Sequence, residues 1–379
     1  MIPCFLNLPL WLTIPAIIIS GLYFLLIFSF YFGWKKIPEF RPGKLTSTEK
    51  ISVIIAFRNE EAHLPDLIED LVVQIFPKQS FEVILIDDHS VDKSYDLVKS
   101  LIKDLQGFVL LTSNGQGKKQ ALQTGLEYCS GSLVVTTDAD CRMDSEWLSS
   151  ISAYYQDKRP EMILGPVLPL RVKGFISQLL SLEFLSLIAS AAGSAGLGHA
   201  VLCNGANMAY RKGALDNLDD PFMQTVASGD DIFLLQSLKR KKSSGIYFLK
   251  STEAIVKTHI PSTIKEFWQQ RVRWVSKTKV YTDWDMKITG FLVFLMNIFI
   301  VLSLLAILYQ SNLIFLYLLL IIIKSIPDFL LLRSVLKFYK RKNLLKYFIP
   351  LQFVYPFYIT FAGFVGFFVS KYTWKGRQF

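Results

Sequence analysis

Uncharged apolar residues concentrate at the two ends of this 379-residue chain, whereas its middle mixes apolar and polar positions. Residues 9–32 carry no charge and are numerous enough to cross a bilayer as one helix. Three further apolar runs lie at 288–309, 313–332 and 347–370. We therefore predict an N-terminal transmembrane anchor over 1–33 and a C-terminal membrane region over 286–379 with about three apolar helices.

The middle of the chain, 34–262, has the pattern of strands that alternate with helices. The predicted strands are 51–57, 81–87, 108–112, 133–138 and a shorter one near 162–165. The predicted helices are 60–74, 93–103, 117–128 and one that opens at Asp230. Such alternation favours parallel strands joined by right-handed crossovers, so we predict an α/β domain here.

A segment rich in aromatic and basic residues, 263–285, separates this domain from the C-terminal runs. Its helical pattern sets Phe267, Trp268 and Trp274 beside a group of basic residues, Lys265, Arg271, Arg273 and Lys277. Aromatic and basic side chains together are typical of a helix that lies at a membrane surface. We predict an interfacial amphipathic helix.

Composition and charge narrow the class of protein. Hydrophobic residues make up 51% of the chain, which is too apolar for an ordinary soluble enzyme. From Met286 onward there are eleven Lys and Arg and one acid, Asp328, so this part carries the whole net charge of +10. Basic residues that flank apolar runs indicate lipid headgroups and a cytoplasmic side rather than nucleic acid. By the same rule, Lys35, Lys36 and Lys44 place the α/β domain in the cytoplasm.

Two details of the C-terminal region bear on its topology. Lys324 and Asp328 lie four residues apart on one helical face, where they can pair inside a bundle or against water. Lys371 and Lys375 would lie outside the cell if all three runs cross the bilayer, which conflicts mildly with the positive-inside rule. It remains open whether one run is re-entrant or interfacial.

Two carboxylates separated by one residue, Asp138 and Asp140, end the predicted strand 133–138. Strands of this kind deliver such side chains to the carboxyl edge of the sheet, where open α/β sheets bind their ligands. Two hard oxygen ligands suit Mg²⁺ or Mn²⁺ carrying a diphosphate. The structural alternative is that one of the two acids caps the helix near Trp147.

Six further polar motifs follow the predicted elements in order. They are Arg58-Asn59-Glu60, Asp87-Asp88-His89, Gly117-Lys118, Asn204-Gly205-Ala206, Gly229-Asp230-Asp231 and Gln270-Arg271-Val272-Arg273-Trp274. Each also has a structural reading, as an acid in the first turn of a helix, a turn, a cap or part of the interfacial helix. Their joint occurrence in this order is the specific signal.

With Asp138-Ala139-Asp140, these motifs resemble those of the family 2 glycosyltransferases, specifically the membrane-embedded branch with cellulose, hyaluronan and poly-N-acetylglucosamine synthases and ceramide glucosyltransferases. The resemblance covers roughly residues 50–285. It implies a GT-A fold, an α/β domain with a Rossmann-like mixed sheet, flanked here by transmembrane helices. Two positions depart from the family pattern: His89 stands where a Gly is usual, and Asp230 where a Glu is usual.

The resemblance also implies roles for individual residues. The residues implied at the donor nucleotide and its diphosphate are Ala56, Phe57, Arg58, Glu60, Asp88, Lys118, Asp138 and Arg273. Those implied on the acceptor side are Asn204, Gly205, Ala206, Gln270 and Trp274. Asp138 and Asp140 are implied as ligands of Mg²⁺ or Mn²⁺, and Asp231 as the general base with Asp230 beside it.

We therefore expect an inverting, metal-dependent glycosyltransferase that moves a sugar from a UDP-sugar to a membrane-associated acceptor. It would be a multi-pass protein of the plasma (inner) membrane with a cytoplasmic catalytic domain, and it would extend a cell-surface polysaccharide. Two alternatives stay open: a single transfer to a membrane lipid, and a catalytically silent sugar-nucleotide-binding subunit of an export complex. The sequence does not identify the sugar, the acceptor, the product length or any partner subunit.

Overall fold

The computed structural model of the chain describes residues 9–43, 49–170, 173–216, 218–226, 228–241, 244–261, 263–368, 373–374 and 377–378. Lys44, Lys371 and Lys375 lie outside these residues. The chain divides into two compact units. The α/β unit comprises Ile37–Arg171, Gly198–Ile260 and Thr373–Phe379, and the helical unit comprises Met1–Lys36, Val172–Leu197 and Pro261–Tyr372.

The strands belong to the α/β unit. They are β1 (Ile51–Phe57), β2 (Phe81–Asp87), β3 (Phe108–Thr112), β4 (Leu133–Thr136), β5 (Arg142–Met143), β6 (Met162–Leu164), β7 (Val167–Pro169), β8 (Met208–Arg211), β9 (Ile246–Phe248), β10 (Val256–Thr258), β11 (Thr373–Trp374) and β12 (Arg377–Gln378). Seven strands form one mixed sheet in the order β3-β2-β1-β4-β8-β6-β9, β5-β10-β7 form a second sheet, and β11 pairs with β12.

The α-helices belong to both units. They are α1 (Leu10–Lys36), α2 (Leu64–Val72), α3 (Ser94–Leu101), α4 (Lys118–Tyr128), α5 (Trp147–Lys158), α6 (Phe175–Gly196), α7 (Asp230–Lys241), α8 (Ile264–Ser276), α9 (Trp284–Ala306), α10 (Ile314–Phe338) and α11 (Phe348–Phe368). Helices α1, α6 and α8 to α11 lie in the helical unit, and the other five lie in the α/β unit.

The main sheet confirms the predicted α/β architecture. β1 pairs in parallel with both β2 and β4, and β2 pairs in parallel with β3. The predicted strands 51–57, 81–87 and 108–112 have the observed bounds, because short runs of β-branched and large apolar residues fill buried strands. β8 runs antiparallel to β4 and β6, which makes the sheet mixed as the resemblance implied.

The predicted helix 60–74 is shorter than expected. It begins at Leu64, because Asn59 has a left-handed backbone with φ of 53° and Pro65 lies at the first turn of α2. Proline is favoured there since its ring fixes a helical φ and the first turn needs no amide donor at that position.

In the helical unit, α1 buries one stripe of side chains along its length. The stripe consists of Leu12, Ala16, Ser20, Tyr23, Ile27, Phe30, Gly33 and Trp34. Steps of three and four residues keep these positions on one face, which packs against α6 and α10. The predicted pair is also confirmed: the Lys324 ammonium lies 2.7 Å from Asp328 Oδ2, and Lys324 is 1% exposed.

Helix α6 is a long apolar helix that the sequence analysis did not predict. Among the residues that the structure describes, five helical segments are long and apolar enough to cross a membrane: Leu10–Lys36, Phe175–Gly196, Trp284–Ala306, Ser311–Phe338 and Lys342–Gly366. The second of these is α6, whose apolar run is interrupted by Glu183 and ends in small residues. These features weaken its hydropathy, which is why it was overlooked.

The connections of α6 limit what it can do in a membrane. The chain enters α6 from β7 and leaves it toward β8, and both strands belong to the α/β unit. A single crossing would put these two strands on opposite sides of a bilayer. We therefore expect α6 to begin and end on the same side of a membrane.

Candidate active site

The candidate site lies at the edge of the main sheet where β1, β2 and β4 end. The three strands are parallel, and Phe57 at the end of β1 pairs with Asp87 at the end of β2. Ligands of open α/β sheets bind beyond such carboxyl ends. The motifs at Arg58, Asp88 and Asp138 follow these ends directly, as the sequence predicted.

Asp138 and Asp140 bring two carboxylates together just beyond β4. One carboxylate oxygen of each residue and the Cys141 sulfur all lie within 4.8 Å of one another. Helix α5 begins at Trp147 with Glu146 as its N-cap, so the alternative that Asp138 or Asp140 caps this helix is wrong.

The donor set fits a hard divalent cation. Burial, and then the charges of Asp140 and Asp138, raise the pKa of the Cys141 thiol well above its ordinary value, which disfavours the thiolate. Only a thiolate is a good metal ligand, which leaves the two carboxylates. Carboxylate oxygens are the ligands that Mg²⁺ and Mn²⁺ prefer.

Lys118, the first residue of α4, lies between two sets of acids. Its ammonium is 2.6 Å from Asp138 Oδ1 and 3.4 Å from Asp230 Oδ2. Burial lowers the pKa of Lys118, but the charges of Asp138 and Asp230 outweigh burial and raise this pKa above its ordinary value. Lys118 is therefore a permanent positive charge at the centre of the site.

The loop of Asn204, Gly205 and Ala206 contacts the acid Asp231 through Gly205. The Gly205 amide donates to Asp231 Oδ2 at 3.2 Å. A Cβ atom on Gly205 would lie 3.3 Å from Lys118 Nζ, closer than most such contacts, and 3.5 Å from Asp230 Oδ2, an ordinary contact. A glycine here lets the loop approach Lys118, Asp230 and Asp231 closely.

Asn204 and Ala206 shape this loop. Asn204 Oδ1 accepts a hydrogen bond from the Ala206 amide at 3.0 Å, a local bond by which Asn stabilises turns. Ala206 is buried and Asn204 is half-buried. Both residues therefore hold the turn that carries Gly205.

The acids Asp230 and Asp231 open α7, as predicted. Gly229, with φ of 85°, turns the chain into this helix. Asp231 Oδ1 accepts from the Ile232 amide at 2.8 Å, so backbone amides hold both of its carboxylate oxygens. The carboxylate therefore has a defined orientation.

The loops after β1 and β2 hold each other. Arg58 Nη1 donates to the carbonyl oxygens of Asp88 and His89, each at 2.8 Å. Asp88 Oδ1 accepts from the Gly117 amide at 2.8 Å, which ties the β2 loop to the start of α4. His89 has φ of 54°, so it adopts the left-handed conformation of the glycine that it replaces.

The remaining predicted donor residues surround these loops. Ala56 is half-buried and Phe57 is buried at the end of β1. The Glu60 amide donates to Ser94 Oγ at 2.8 Å, and Glu60 Oε2 lies 2.8 Å from His63 Nδ1. The α/β unit thus gathers Asp138, Asp230, Asp231, Lys118, the loop around Gly205 and the loops after β1 and β2 at one edge of the sheet.

This arrangement is shared with known proteins. Residues 52–219 match the model of the family described as "Glycosyl transferase family 2". They form a family 2 glycosyltransferase domain. The match ends before Asp230, so the interpretation of Asp230 and Asp231 rests on geometry and motif.

Two curated proteins are similar over much of this chain. It is 22% identical over 252 residues to the probable glycosyltransferase YdaM of Bacillus subtilis, covering 63% of this chain and 57% of that protein. It is 24% identical over 260 residues to the poly-beta-1,6-N-acetyl-D-glucosamine synthase of Staphylococcus aureus, covering 68% of this chain and 60% of that protein. The chain thus spans less than two thirds of either relative's length.

A solved structure shows the fold. The mannosyltransferase PcManGT of Pyrobaculum calidifontis, in complex with GDP-Man and Mn²⁺, superimposes with a TM-score of 0.56 at 16% identity. The superposition covers 93% of this chain and 99% of that chain. With the family match, this likeness establishes the GT-A fold.

Three of the predicted site residues lie on α8, in the helical unit. Gln270, Arg273 and Trp274 are half-buried. Arg271, between them in sequence, is one of the basic residues that the predicted interfacial helix sets beside its aromatic ones. Arg271 is 5% exposed and forms an ion pair with Glu183 of α6.

Sequence reasoning also missed the structural role of Asn207. Its Nδ2 donates to the carbonyl oxygens of Pro166 and Ala254 at 2.9 and 2.8 Å, and its Oδ1 accepts from Trp147 Nε1 at 3.1 Å. Asn207 thus joins three separate segments directly behind the acceptor loop. Its place in the motif was visible, but its partners are 41 to 60 residues away.

Proposed function

We propose that this chain is a membrane-anchored, inverting glycosyltransferase that moves a sugar from a UDP-sugar to a membrane-associated acceptor. The observation that carries the proposal is the position of Lys118, which contacts Asp138 of the predicted metal pair and Asp230 of the predicted acceptor pair. A transfer reaction needs the donor diphosphate and the acceptor hydroxyl side by side, and this cluster offers groups suited to each.

Asp138 and Asp140 would hold Mg²⁺ or Mn²⁺ together with the donor diphosphate. When bound, the cation offsets the charge that develops on the departing nucleoside diphosphate. Lys118 adds a fixed positive charge at the same place, and Arg273 of α8 is proposed as a second cation for the diphosphate because guanidinium groups bind phosphate oxygens in pairs. The Mn²⁺ in the mannosyltransferase structure is consistent with a divalent ion.

The loops after β1 and β2 would hold the nucleotide base and ribose. Asp88 is proposed near the base, with Ala56, Phe57, Arg58 and Glu60 around the nucleoside. His89 has a left-handed backbone, a conformation that glycine adopts readily, so its replacement of the usual glycine is compatible with a UDP donor. Because the mannosyltransferase binds GDP-Man, guanine donors belong in the test.

Asp231 would be the general base. As the acceptor hydroxyl oxygen bonds to the anomeric carbon, the bond from that carbon to the diphosphate oxygen breaks and its electron pair leaves with the nucleoside diphosphate. Asp231 takes the hydroxyl proton, and attack opposite the leaving group inverts the anomeric centre. The Gly205 and Ile232 amides keep the Asp231 carboxylate oriented for this step. Asn204, Gly205, Ala206, Gln270 and Trp274 are proposed to bind the acceptor.

The helical unit would place this chemistry at a plasma (inner) membrane. We propose that α1 ends in the cytoplasm at Lys35 and Lys36, that the α/β unit faces the cytoplasm, and that the acceptor is a growing cell-surface polysaccharide. The S. aureus relative, named for a polysaccharide synthase, supports this acceptor class. A single transfer to a membrane lipid is the second candidate. The connections of α6 favour this second candidate. They leave four of the five apolar segments found in the described residues as possible crossings, which is few to build a channel for a growing polysaccharide.

The experiment is nucleoside diphosphate release by the purified full chain in lipid nanodiscs, with panels of UDP- and GDP-sugars, with Mn²⁺ or EDTA, and with or without membrane lipid extract. We expect release from one UDP-sugar that needs both Mn²⁺ and extract, and that Asp231→Asn abolishes. A ladder of oligosaccharides indicates polymer extension, whereas one glycolipid product indicates single transfer. Tight UDP-sugar binding without turnover would identify a silent subunit and refute the proposal.

A further inference from the structure

A buried ionic cluster joins three helices of the helical unit outside the residues assigned to catalysis. Its members are Glu183 on α6, Arg271 on α8 and Tyr358 on α11. Arg271 Nη2 donates to Glu183 Oε2, and the Tyr358 hydroxyl donates to Glu183 Oε1 at 2.5 Å. Glu183 is 1% and Arg271 5% exposed, so both charges are buried.

The guanidinium of Arg271 is held on its other sides by α8 itself. Its Nη1 donates to Gln270 Oε1 at 2.9 Å. Its carbon lies 4.6 Å from the Phe267 ring centroid and 4.2 Å from that of Trp274, which are cation–π distances. Arg271 therefore touches two of the three α8 residues proposed to serve the reaction, Gln270 and Trp274.

Helix geometry links Arg271 to the third, Arg273. Successive residues of an α-helix are rotated by about 100°, so Arg273 projects about 200° away from Arg271. Trp274, three residues on, returns to the side of Arg271. Fixing Arg271 toward α6 therefore fixes the rotation of α8 about its axis and with it the directions of Arg273 and Trp274.

The other contacts of α8 with α11 are apolar. Phe267 packs on Tyr358 with ring centroids 5.3 Å apart, and Trp268 on Phe361 at 4.9 Å. Val275 packs against Gly366. Apolar contacts are non-directional and tolerate small rotations, whereas a buried ion pair keeps its charges only in one geometry.

We propose that Glu183 is a positioning residue for α8, which it holds in one rotation through Arg271 so that Arg273 and Trp274 point correctly. The proposal rests on the proposed function, in which Arg273 and Trp274 serve donor and acceptor. Misplacing reacting groups by about 1 Å can cost about 100-fold in rate. Loss of the Glu183 charge should therefore slow transfer by about 10- to 100-fold.

The test must separate positioning from stability, since breaking any buried pair destabilises a protein. The first variant is Glu183→Gln, which keeps the shape and removes the charge. The second is the double variant Glu183→Leu/Arg271→Met, because replacing both members of a buried pair by apolar residues often restores stability. The matched control is Asp328→Asn, which breaks the buried Lys324–Asp328 pair of α10 in the same unit.

Turnover at saturating donor and acceptor, donor KM and thermal midpoint are measured for each full-length protein in nanodiscs. We expect Glu183→Gln to be slow, the double variant to regain its thermal midpoint yet stay slow, and Asp328→Asn to lose thermal midpoint while its turnover stays within twofold of wild type. A double variant with near-wild-type turnover, or a control as slow as Glu183→Gln, overturns the proposal.

A readout independent of activity separates this proposal from the proposed function. A nitroxide label on Arg273→Cys, in a background without other reactive cysteines, reports the mobility of α8 by electron paramagnetic resonance. We expect greater label mobility with Glu183→Gln and with the double variant, and no increase in label mobility with Asp328→Asn. Unchanged mobility refutes positioning even if the enzyme is active, whereas a wild-type protein without turnover refutes only the proposed function.

Discussion

Replacing Asp231 by Asn tests the chemistry most directly. The substitution keeps the size of the side chain and removes the charge that would accept the acceptor proton. In the structure both carboxylate oxygens accept from backbone amides, those of Gly205 and Ile232. Asparagine keeps one of these oxygens and places an NH₂ group against the other amide.

The structural and the catalytic costs of this change differ in size. Losing one hydrogen bond costs about 0.5–1.5 kcal/mol of stability. Losing a general base slows a reaction by about 10²- to 10⁴-fold, which corresponds to about 2.7–5.4 kcal/mol in the barrier. The catalytic effect should therefore dominate, with a small change in thermal midpoint.

Donor binding should respond to the neighbouring acid instead. Asp230, not Asp231, lies 3.4 Å from the Lys118 ammonium. Asp230→Asn removes a competitor for that ammonium and a repulsive charge near the diphosphate, so we expect tighter UDP-sugar binding. Asp231→Asn should change the donor Kd by less than about fivefold, which is about 1 kcal/mol.

The assay pairs steady-state nucleoside diphosphate release with calorimetric titration of the UDP-sugar for both variants. The expected pattern is a slow Asp231→Asn enzyme with a nearly unchanged Kd, and an Asp230→Asn enzyme whose Kd falls. Near-wild-type transfer by Asp231→Asn, or a larger rate loss in Asp230→Asn, would show that the base has been assigned to the wrong residue.

Three further outcomes are expected. Asp140→Asn should raise the Mn²⁺ concentration for half-maximal turnover at least tenfold because one of two metal carboxylates is lost; an unchanged Mn²⁺ titration places the metal elsewhere. An impermeant maleimide on intact cells should label Tyr309→Cys, in the α9–α10 loop, but not Arg240→Cys after α6, and labelling of Arg240→Cys would show that α6 crosses the bilayer. Gly193→Leu should lower stability by about 1–3 kcal/mol, because its Cβ would overlap the Phe30 carbonyl. Gly21→Leu, on the open surface of α1, should leave stability unchanged. Equal thermal midpoints for the two variants would contradict the contact at Gly193.

The local sequence pattern of apolar and turn residues was sufficient to predict the parallel half of the main sheet. β1, β2 and β3 are short apolar runs bounded by turn residues, and pattern reads such runs well. The position of β8 between β4 and β6 could not be read, because its partners are distant in sequence and it follows a helix. Helix α6 escaped because Glu183 and a small-residue end weaken its apolar signal.

Motif order predicted which side chains meet at the sheet edge, but not how they pair. The contact of Lys118 with Asp230 joins residues more than a hundred positions apart, and no local pattern encodes it. The burial of Arg271 was not predicted, because a cation on an amphipathic helix is usually solvated. Its partner Glu183 is 88 residues away, in the helix that was missed.

The insertion of α6 within the α/β unit has a consequence for how this protein is made. β8 lies in the middle of the main sheet and is synthesised after α6. The α/β unit therefore cannot finish folding before α6 has left the ribosome. Trimming both terminal regions would leave α6 in place and remove its packing partner at Gly33 of α1. An α/β unit trimmed in this way, which keeps α6, should therefore need detergent.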